Sequence, residues 1–166
     1  MNFLKKIVFN FINLHVSSCI LRSKIFKIFG ASIGEECKIE QVIVLNYDGG
    51  NLGNLILGEK VYIGAGTILD LKSKIQIGNS TKIAAGCNLS THVDCGKEND
   101  ISSLYPKREE MITIGSNSWI GLSVTILCGT AIGDGVIVGA NSLVNKSIPS
   151  HVMVHGSPAR VIKQLQ

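Results

Sequence analysis

The sequence has little proline and few aromatic residues, with 3 prolines and 5% aromatics among 166 residues. Its 5 cysteines are odd in number and show no paired or CxxC spacing, so they do not suggest a disulfide framework. We therefore expect free cysteines in a reducing compartment, with Cys37, Cys87 and Cys128 serving as small core or wall residues. Glycine, in contrast, is abundant at 18 residues, which suits a thin aliphatic core.

Acidic residues are missing from one part of the chain. Residues 1–30 contain five basic residues and no acidic one, whereas the remainder has 11 basic and 12 acidic residues. The body of the protein is thus near neutral, and its basic residues are not interleaved with aromatics. This charge pattern gives little support to nucleic-acid binding.

A six-residue repeat dominates the second half of the chain. From Ile114 the sequence reads IGSNSW, IGLSVT, ILCGTA, IGDGVI, VGANSL and VNKSIP, each hexad headed by an aliphatic residue. Neither a helix of period 3.6 nor a strand of period 2 produces this pattern. A short fixed repeat instead predicts a solenoid in which each turn buries its apolar edge on the next.

The same repeat occurs upstream in two sets of three hexads, beginning at Leu57 and Ile77, twenty residues apart. Each coil then has three hexads and a two-residue corner (Ile75 and Gln76), which predicts three strands around a triangular prism. We expect glycine after the head residue to provide the dihedral angles of the corners. Small or β-branched residues fill many fifth positions and should face a narrow interior: Cys37, Val61, Thr67, Thr81, Cys87, Ser118, Val124, Thr130, Val136 and Ser142.

The N-terminal segment, residues 1–30, is basic and apolar with helical spacing. Its apolar stretch is too short and too often interrupted by polar residues for a membrane span, and it lacks a signal-cleavage site. One interpretation is a helix or two that cap the open end of the prism or pack on a neighbouring subunit. The other is an interfacial helix in contact with an anionic membrane. We accordingly expect a cytoplasmic protein, either free or peripheral at the inner face of a bacterial membrane.

Three interruptions of the repeat are candidates for function. Residues 45–56 are rich in Gly and Asn, where Asp48 and Asn51 either face a ligand or belong to a simple corner loop. Residues 95–113 form a long polar excursion, and such loops are often functional. His92, at its base, is the one histidine within the hexads. It is either a surface residue or a base that accepts a proton from an alcohol.

The third interruption is the end of the array. Lys146, Arg160 and Lys163 collect positive charge there. These cations either hold the phosphates of a cofactor or belong to a solvated tail helix.

The segments IGSNSWIG, AIGDGVIVGANSLVNKSIP and HGSPARVIK together resemble the hexapeptide-repeat acyltransferases, in particular the galactoside, maltose and polysaccharide O-acetyltransferases. The resemblance covers about residues 31–165. It implies a left-handed parallel β-helix and a homotrimer that binds acetyl-CoA between adjacent subunits. It also implies direct transfer of the acetyl group to a sugar hydroxyl, assisted by a histidine base.

The resemblance also assigns roles to single residues. His92 is similar to the general base of the family, although the base usually falls two residues later, at Asp94, which would then orient His92 or touch the acceptor. The residues that match cofactor contacts are Ala140, Asn145, Lys146, Arg160 and Lys163. Gly64 and Lys72 replace the Asn and Asp that hold the acceptor in galactoside-type enzymes, so a free galactoside or maltose is not the expected acceptor.

The sequence predicts an all-β protein with a short N-terminal helical segment (1–30), a left-handed β-helix acyltransferase domain (31–150) and a C-terminal tail helix (151–166). The expected function is acetyl-CoA-dependent O-acetylation of a sugar hydroxyl, on a bacterial surface polysaccharide or its precursor, without a metal. Asp48, Asn51 and Asp94 are candidate acceptor contacts. The alternatives are N-acetylation of an amino sugar nucleotide, a non-catalytic scaffold and, because related solenoids carry it, a zinc carbonic anhydrase.

Overall fold

Three sheets of short strands form the sides of a prism in the computed structural model, which describes residues 2–96 and 101–165. The helices are α1 (Asn2–His15), α2 (Cys19–Ile28) and α3 (Ile101–Leu104). The strands are β1 (Ser32–Ile33), β2 (Lys38–Ile39), β3 (Ile43–Leu45), β4 (Leu55–Leu57), β5 (Tyr62–Ile63), β6 (Ile68–Asp70), β7 (Ile75–Ile77), β8 (Lys82–Ile83), β9 (Asn88–Leu89), β10 (His92–Val93), β11 (Arg108–Glu109), β12 (Ile112–Ile114), β13 (Trp119–Ile120), β14 (Thr125–Ile126), β15 (Ala131–Ile132), β16 (Ile137–Val138), β17 (Leu143–Val144), β18 (Val152–His155) and β19 (Arg160–Gln164).

Successive coils add one strand to each side of the prism. Sheet A has the order β1-β4-β7-β12-β15, sheet B the order β2-β5-β8-β13-β16-β18-β19, and sheet C the order β3-β6-β9-β14-β17. All neighbours in these sheets are parallel except β18 and β19. The predicted left-handed parallel β-helix is confirmed. Ile75 and Gln76, however, belong to strand β7 and not to a corner.

The repeat residues stack as ladders inside the prism. The head residues of sheet B, for example, pair in register from Ile39 to Ile63 and Ile83, and all three are fully buried. All ten small or β-branched residues predicted to face the interior are buried as well. The core is therefore a narrow aliphatic column, and its cysteines are free.

The coil corners use glycine differently from the expectation. The residue with a left-handed backbone is the fourth of the hexad, where φ lies between 56° and 75° at Glu36, Lys60, Gly66, Ser80, Gly86, Asn117, Ser123, Gly129, Gly135 and Asn141. The glycine after the head residue meets a steric limit instead: a Cβ on Gly78 would lie 2.6 Å from the backbone nitrogen of Ser116 in the next coil. The predicted dihedral role was wrong, because close packing of successive coils excludes the side chain there.

Helices α1 and α2 close the N-terminal end of the prism. Phe9 of α1 and Phe26 of α2 are fully buried and pack edge to face, with ring centroids 5.1 Å apart. Arg22 of α2 is buried too and donates a hydrogen bond to the carbonyl of Ile39 at 2.9 Å. In the described part of the chain, no helix is both long and apolar enough to cross a membrane.

The C-terminal tail is a β-hairpin, so the predicted tail helix was wrong. Strand β18 continues sheet B beside β16, and β19 returns antiparallel to it. Val152 and Val154 alternate with more exposed residues, and both side chains are buried on the last coil. This period of two favours a strand, and strand β18 is the additional strand of sheet B that covers the C-terminal end of the prism.

The predicted excursion, residues 95–113, is joined to the prism by an antiparallel hairpin of two short strands. Strand β10 pairs antiparallel with β11, with His92 opposite Glu109. The short helix α3 lies between them, and residues 97–100 of the excursion lie outside the described residues. The hairpin places His92 at the point where the chain leaves the prism.

Candidate active site

His92 and Asp70 form a hydrogen-bonded pair at the base of the excursion. Nδ1 of His92 lies 2.6 Å from Oδ2 of Asp70, and the His92 side chain is 28% exposed. Asp70 ends strand β6, which neighbours β9 in sheet C, and His92 follows β9 by three residues. The stacking of coils thus brings together two residues that are 22 positions apart in the chain.

The carboxylate of Asp70 is fixed by further hydrogen bonds. Its Oδ2 accepts the backbone N–H groups of Thr91 at 2.9 Å and His92 at 3.2 Å, and its Oδ1 accepts Nδ2 of Asn46 at 2.8 Å. Burial by itself raises the pKa of Asp70, but the hydrogen bonds from His92 and Asn46 outweigh it and leave the pKa below its usual value. Asp70 is therefore a carboxylate at neutral pH, and its side chain is only 5% exposed.

Glu109 supplies a second carboxylate on the other side of His92. It lies opposite His92 in the hairpin and forms ion pairs with Lys107 and with Lys72, the latter at 3.7 Å. The hydrogen bond from Lys107 is the main reason why the pKa of Glu109 is lowered, and Lys72 and His92 add to it. A positive charge on the imidazole of His92 thus interacts with two carboxylates, Asp70 directly and Glu109 across the hairpin.

This arrangement suits a general base. Because Oδ2 of Asp70 is ionised and serves as an acceptor for backbone N–H groups and for the hydroxyl of Thr91, it also takes the Nδ1 proton of a neutral imidazole. The lone pair of His92 is then on Nε2, for which no hydrogen-bond partner is found among the described residues. An alcohol that approaches Nε2 can transfer its proton there, and Asp70 stabilises the resulting imidazolium.

Asp94 does not take the orienting role suggested for it. Its Oδ1 accepts the backbone N–H of Gly96 at 2.8 Å, within the loop after β10. The carboxylate that orients His92 is Asp70. The sequence contained a signal for this pair. One coil is twenty residues long, so Asp70 stands one coil before Ser90, and Ser90 is two residues from His92.

Lys146 and Arg160 line one cavity of about 300 Å³ at the end of the prism. Both side chains are exposed, as is Lys163 on the same final strand as Arg160. The predicted gathering of cations is therefore present for Lys146 and Arg160, which are 14 residues apart in the sequence. Such a cavity fits the phosphate groups of a nucleotide.

Lys146 and His92 lie along the same edge of the prism. Each follows a strand of sheet C, and these strands, β17 and β9, are separated by β14 alone. Two strand spacings correspond to about 9.6 Å, so an extended molecule can reach both residues. Asn145 lies at the same corner, whereas Ala140 follows β16 and belongs to the corner between sheets B and C. The chain thus places Ala140 at a different corner from Lys146 and Asn145, whereas Arg160 pairs with His155, which lies over Gly139 beside Ala140.

Asp48 and Asn51 line a different cavity, of about 590 Å³, beside Lys5 of α1 and the residues that follow α2. The backbone N–H of Asn51 donates to the carbonyl of Asp48 at 2.7 Å, and Oδ1 of Asn51 accepts the N–H of Gly53 at 2.9 Å. The side chain of Asn51 thus stabilises its own turn. Neither residue belongs to the cluster around His92.

Comparison with known proteins gives concordant matches. The family described as "Bacterial transferase hexapeptide (six repeats)" matches residues 111–146. The galactoside O-acetyltransferase of Escherichia coli K12 is 31% identical over 97% of this chain and 77% of its own length. A putative colanic acid biosynthesis acetyltransferase of the same strain is 32% identical over 86% of this chain and 74% of its own.

Solved structures match over almost the whole chain. A galactoside acetyltransferase in complex with coenzyme A has a TM-score of 0.82 at 25% identity, with 99% of this chain and 81% of that chain covered. A maltose O-acetyltransferase from Clostridium difficile 630 has a TM-score of 0.76 at 26% identity, with 99% and 86% covered. The match therefore includes the N-terminal helices and the terminal hairpin as well as the repeats.

Proposed function

Because the chain belongs to the hexapeptide-repeat acetyltransferases, we propose that it transfers an acetyl group from acetyl-CoA to a sugar hydroxyl with His92 as the general base. The observation that carries this assignment is the 2.6 Å contact between Nδ1 of His92 and the buried carboxylate of Asp70. A hydroxyl needs such a base more than an amine does. The pair thus favours O-acetylation over N-acetylation of an amino sugar.

His92 acts twice in the proposed reaction. Its Nε2 takes the proton of the sugar hydroxyl while the oxygen attacks the thioester carbonyl. The tetrahedral intermediate then collapses, the C–S bond breaks, and the imidazolium of His92 returns the proton to the sulfur. Asp70 stabilises the imidazolium between the two steps, and backbone N–H groups of the wall are suited to stabilise the oxyanion.

Lys146 and Arg160 are the proposed contacts for the phosphates of acetyl-CoA. Lys146 and His92 lie on one edge of the prism, so the pantetheine arm of a cofactor held at Lys146 runs along this edge towards Nε2. Asn145 adjoins that path, and Lys163 is a further proposed phosphate contact from strand β19 of sheet B. Ala140 lies at the corner between sheets B and C, and we propose that it contacts the cofactor of an adjacent subunit in the homotrimer.

The proposed acceptor is a sugar of a surface polysaccharide or of its precursor. One of the matched relatives is named as a putative colanic acid biosynthesis acetyltransferase. Asp94 adjoins the His92 hairpin and is the nearer of the predicted acceptor contacts. Asp48 and Asn51 remain proposals for an acceptor that extends towards the N-terminal end of the prism.

Helix α1 is the proposed site of membrane contact. One face of α1, opposite the buried Phe9, is exposed and apolar along its whole length: Phe3, Leu4, Ile7, Val8, Phe11 and Leu14. Residues 1–30 also carry five basic side chains and no acidic one, which complements an anionic lipid surface. We propose that this face holds the cytoplasmic enzyme at the inner side of the membrane, near a lipid-linked precursor.

Acetyl-CoA binding tests the proposed enzyme activity. In titration calorimetry we expect saturable binding by the wild type and at least about tenfold weaker binding by a Lys146→Ala, Arg160→Ala double variant. A Lys5→Ala, Lys24→Ala variant removes two exposed lysines of the N-terminal helices, away from this edge, and should bind as the wild type does. Failure of the folded wild type to bind acetyl-CoA would refute the proposal.

Vesicle sedimentation tests the membrane contact. We expect the full-length protein to bind vesicles with anionic lipid, and a Phe3→Ser, Phe11→Ser variant to lose most of this binding because two exposed rings no longer enter the interface. A Leu104→Ser, Ile162→Ser variant changes two exposed apolar residues elsewhere and is the control. Equal binding by all three proteins would contradict the role of α1.

A further inference from the structure

A groove of about 840 Å³ runs between helix α2 and the first three coils, at the corner between sheets A and B. Its floor includes Tyr62, and its walls include the aliphatic side chains of Ile20 and Ile33. It is the largest of the three cavities described here, and neither the His92 site nor the Lys146 cavity shares a residue with it.

The groove is lined by an excess of positive charge. Five lysines and two glutamates line it, and these side chains are Lys24, Lys27, Lys38, Lys60, Lys82, Glu35 and Glu36. Lys27 pairs with Glu35 at 3.2 Å and Lys60 with Glu36 at 3.9 Å. Among the described residues, no carboxylate forms an ion pair with any of the other three lysines. The uncompensated charge of the groove is therefore +3.

The uncompensated lysines are spaced along the axis of the prism. Lys38, Tyr62 and Lys82 begin three adjacent strands of sheet B and pair in register. The two lysine positions are therefore about 9.6 Å apart, with the phenol of Tyr62 between them. Lys24 reaches the same groove from helix α2. A single carboxylate is too small to satisfy all three cations, whereas a diphosphate carries enough charge and enough acceptor oxygens.

Tyr62 adds a neutral aromatic surface between the lysines. Burial raises the pKa of its phenol, and the negative charge of nearby Glu40 raises it further, so the side chain stays protonated at neutral pH. The phenol can donate one hydrogen bond to a phosphate oxygen or pack its ring on a sugar. The groove thus offers cations for a diphosphate and an apolar face for the group attached to it.

We infer that this groove binds the acceptor through a diphosphate, so that the substrate is a glycosyl diphosphate and not a free sugar. The inference rests on the proposed acetyl transfer. The groove lies at the corner between sheets A and B, whereas His92 lies at the corner between sheets C and A. The inference requires that the groove of one subunit lies beside the corner between sheets C and A of an adjacent subunit in the proposed trimer.

Binding of inorganic pyrophosphate by the full-length protein tests the groove directly. The titration is done with saturating coenzyme A, which occupies the cavity of Lys146 and Arg160. We expect a Lys38→Ser, Lys82→Ser variant to bind pyrophosphate about tenfold more weakly than the wild type, or worse, and to bind acetyl-CoA with unchanged affinity. A Lys5→Ser, Lys74→Ser variant has the same net charge and should bind pyrophosphate as the wild type does.

The outcomes separate this inference from the proposed function. Equal pyrophosphate affinity in the wild type and the groove variant, or no pyrophosphate binding by a protein that binds acetyl-CoA, overturns the groove assignment alone. If the folded wild type does not bind acetyl-CoA, the proposed function is overturned. In that case the difference between the groove variant and its charge-matched control still decides whether the groove takes a diphosphate.

Steady-state kinetics identifies the source of the diphosphate. Acetyl transfer is measured as coenzyme A release with free sugars, nucleoside diphosphate sugars in solution and polyisoprenyl diphosphate sugars in vesicles. We expect activity with one of the two diphosphate forms, and an increase of about tenfold in its KM, at unchanged kcat, in the groove variant. Transfer to the free sugars with the same kcat/KM overturns the inference.

Discussion

His92 depends on Asp70 for the position of its proton. The buried carboxylate accepts Nδ1–H and leaves Nε2 as the base, which a histidine on a solvated wall would not do by itself. The same contact explains why His92 is the candidate base, rather than Asp94 two residues later.

Removal of the imidazole should abolish most of the activity. We expect His92→Ala to lower kcat for acetyl transfer to a hydroxyl by roughly 10²–10⁴-fold, because the proposed general base is removed. Coenzyme A release measures the rate, and calorimetry should show unchanged acetyl-CoA affinity. His15→Ala, in exposed helix α1, is the matched control. A loss below about tenfold with the true acceptor would argue against the assigned role.

Asp70→Asn tests the charge of the orienting carboxylate without a change in size. The backbone N–H groups of Thr91 and His92 keep the new carbonyl oxygen at the Oδ2 position beside Nδ1 of His92, but the negative charge that stabilises the imidazolium is lost. We expect kcat to fall by about 10²-fold or more while KM for acetyl-CoA stays constant. Full activity in this variant would show that Asp70 has only a structural role.

The lowered pKa of Asp70 also predicts how stability depends on pH. A carboxyl whose pKa is lower in the folded state stabilises the fold above its unfolded pKa, and this contribution disappears as the pH falls through the folded pKa. The difference in unfolding free energy between wild type and Asp70→Asn should therefore shrink as the pH falls below about pH 4. Urea unfolding from pH 7 to pH 3 measures it, and a pH-independent difference would contradict the expectation.

At the scale of the coil, two glycine positions have different physical causes. The fourth position of the hexad needs a left-handed backbone, which Asn, Ser, Lys and Glu also adopt in this chain. The second position lacks space for a Cβ, because the backbone of the next coil approaches it. Sequence alone shows glycine at both positions and cannot separate the two causes.

Alanine substitutions should distinguish the two physical causes of glycine in the hexad. A Cβ on Gly66 would come no closer than 4.0 Å to its nearest neighbour, the backbone nitrogen of Gly86, so Gly66→Ala should cost only the left-handed backbone, about 1–2 kcal/mol. Gly66→Asn should cost less, since Asn visits this conformation more readily. Gly78→Ala forces a Cβ to 2.6 Å from Ser116 N and should cost more than Gly66→Ala. Urea unfolding at one protein concentration compares them, and the reverse order would contradict this account of the corners.

At the scale of the whole molecule, the described chain presents its functional residues at different corners of the prism. His92 and Lys146 share one edge, whereas Ala140 and the lysine groove lie at two others. A cyclic trimer brings such corners together, and this is why the proposed site needs more than one subunit. Sedimentation equilibrium should give three times the chain mass of 17.8 kDa, and a monomer that retains full activity would contradict the shared site.

The sequence by itself determined the prism, its three sheets and its inward ladders. The reason is that a six-residue period leaves one way to bury every head residue, and the burial of all ten small fifth positions follows from it. It also singled out His92, Lys146 and Arg160 as candidate site residues, because breaks in a regular repeat are visible along the chain. The terminal hairpin was also readable in principle, from the alternation of Val152 and Val154.

The tertiary structure decided which residues meet. Asp70 contacts His92 from one coil away, Glu109 faces it across a hairpin, and Lys38 and Lys82 line one groove although 44 residues separate them. Such contacts depend on the register between coils and on where an excursion folds back, and both are set by the packing of distant segments. A local pattern predicts which side of the wall a residue faces, but its partners are fixed only when the coils stack.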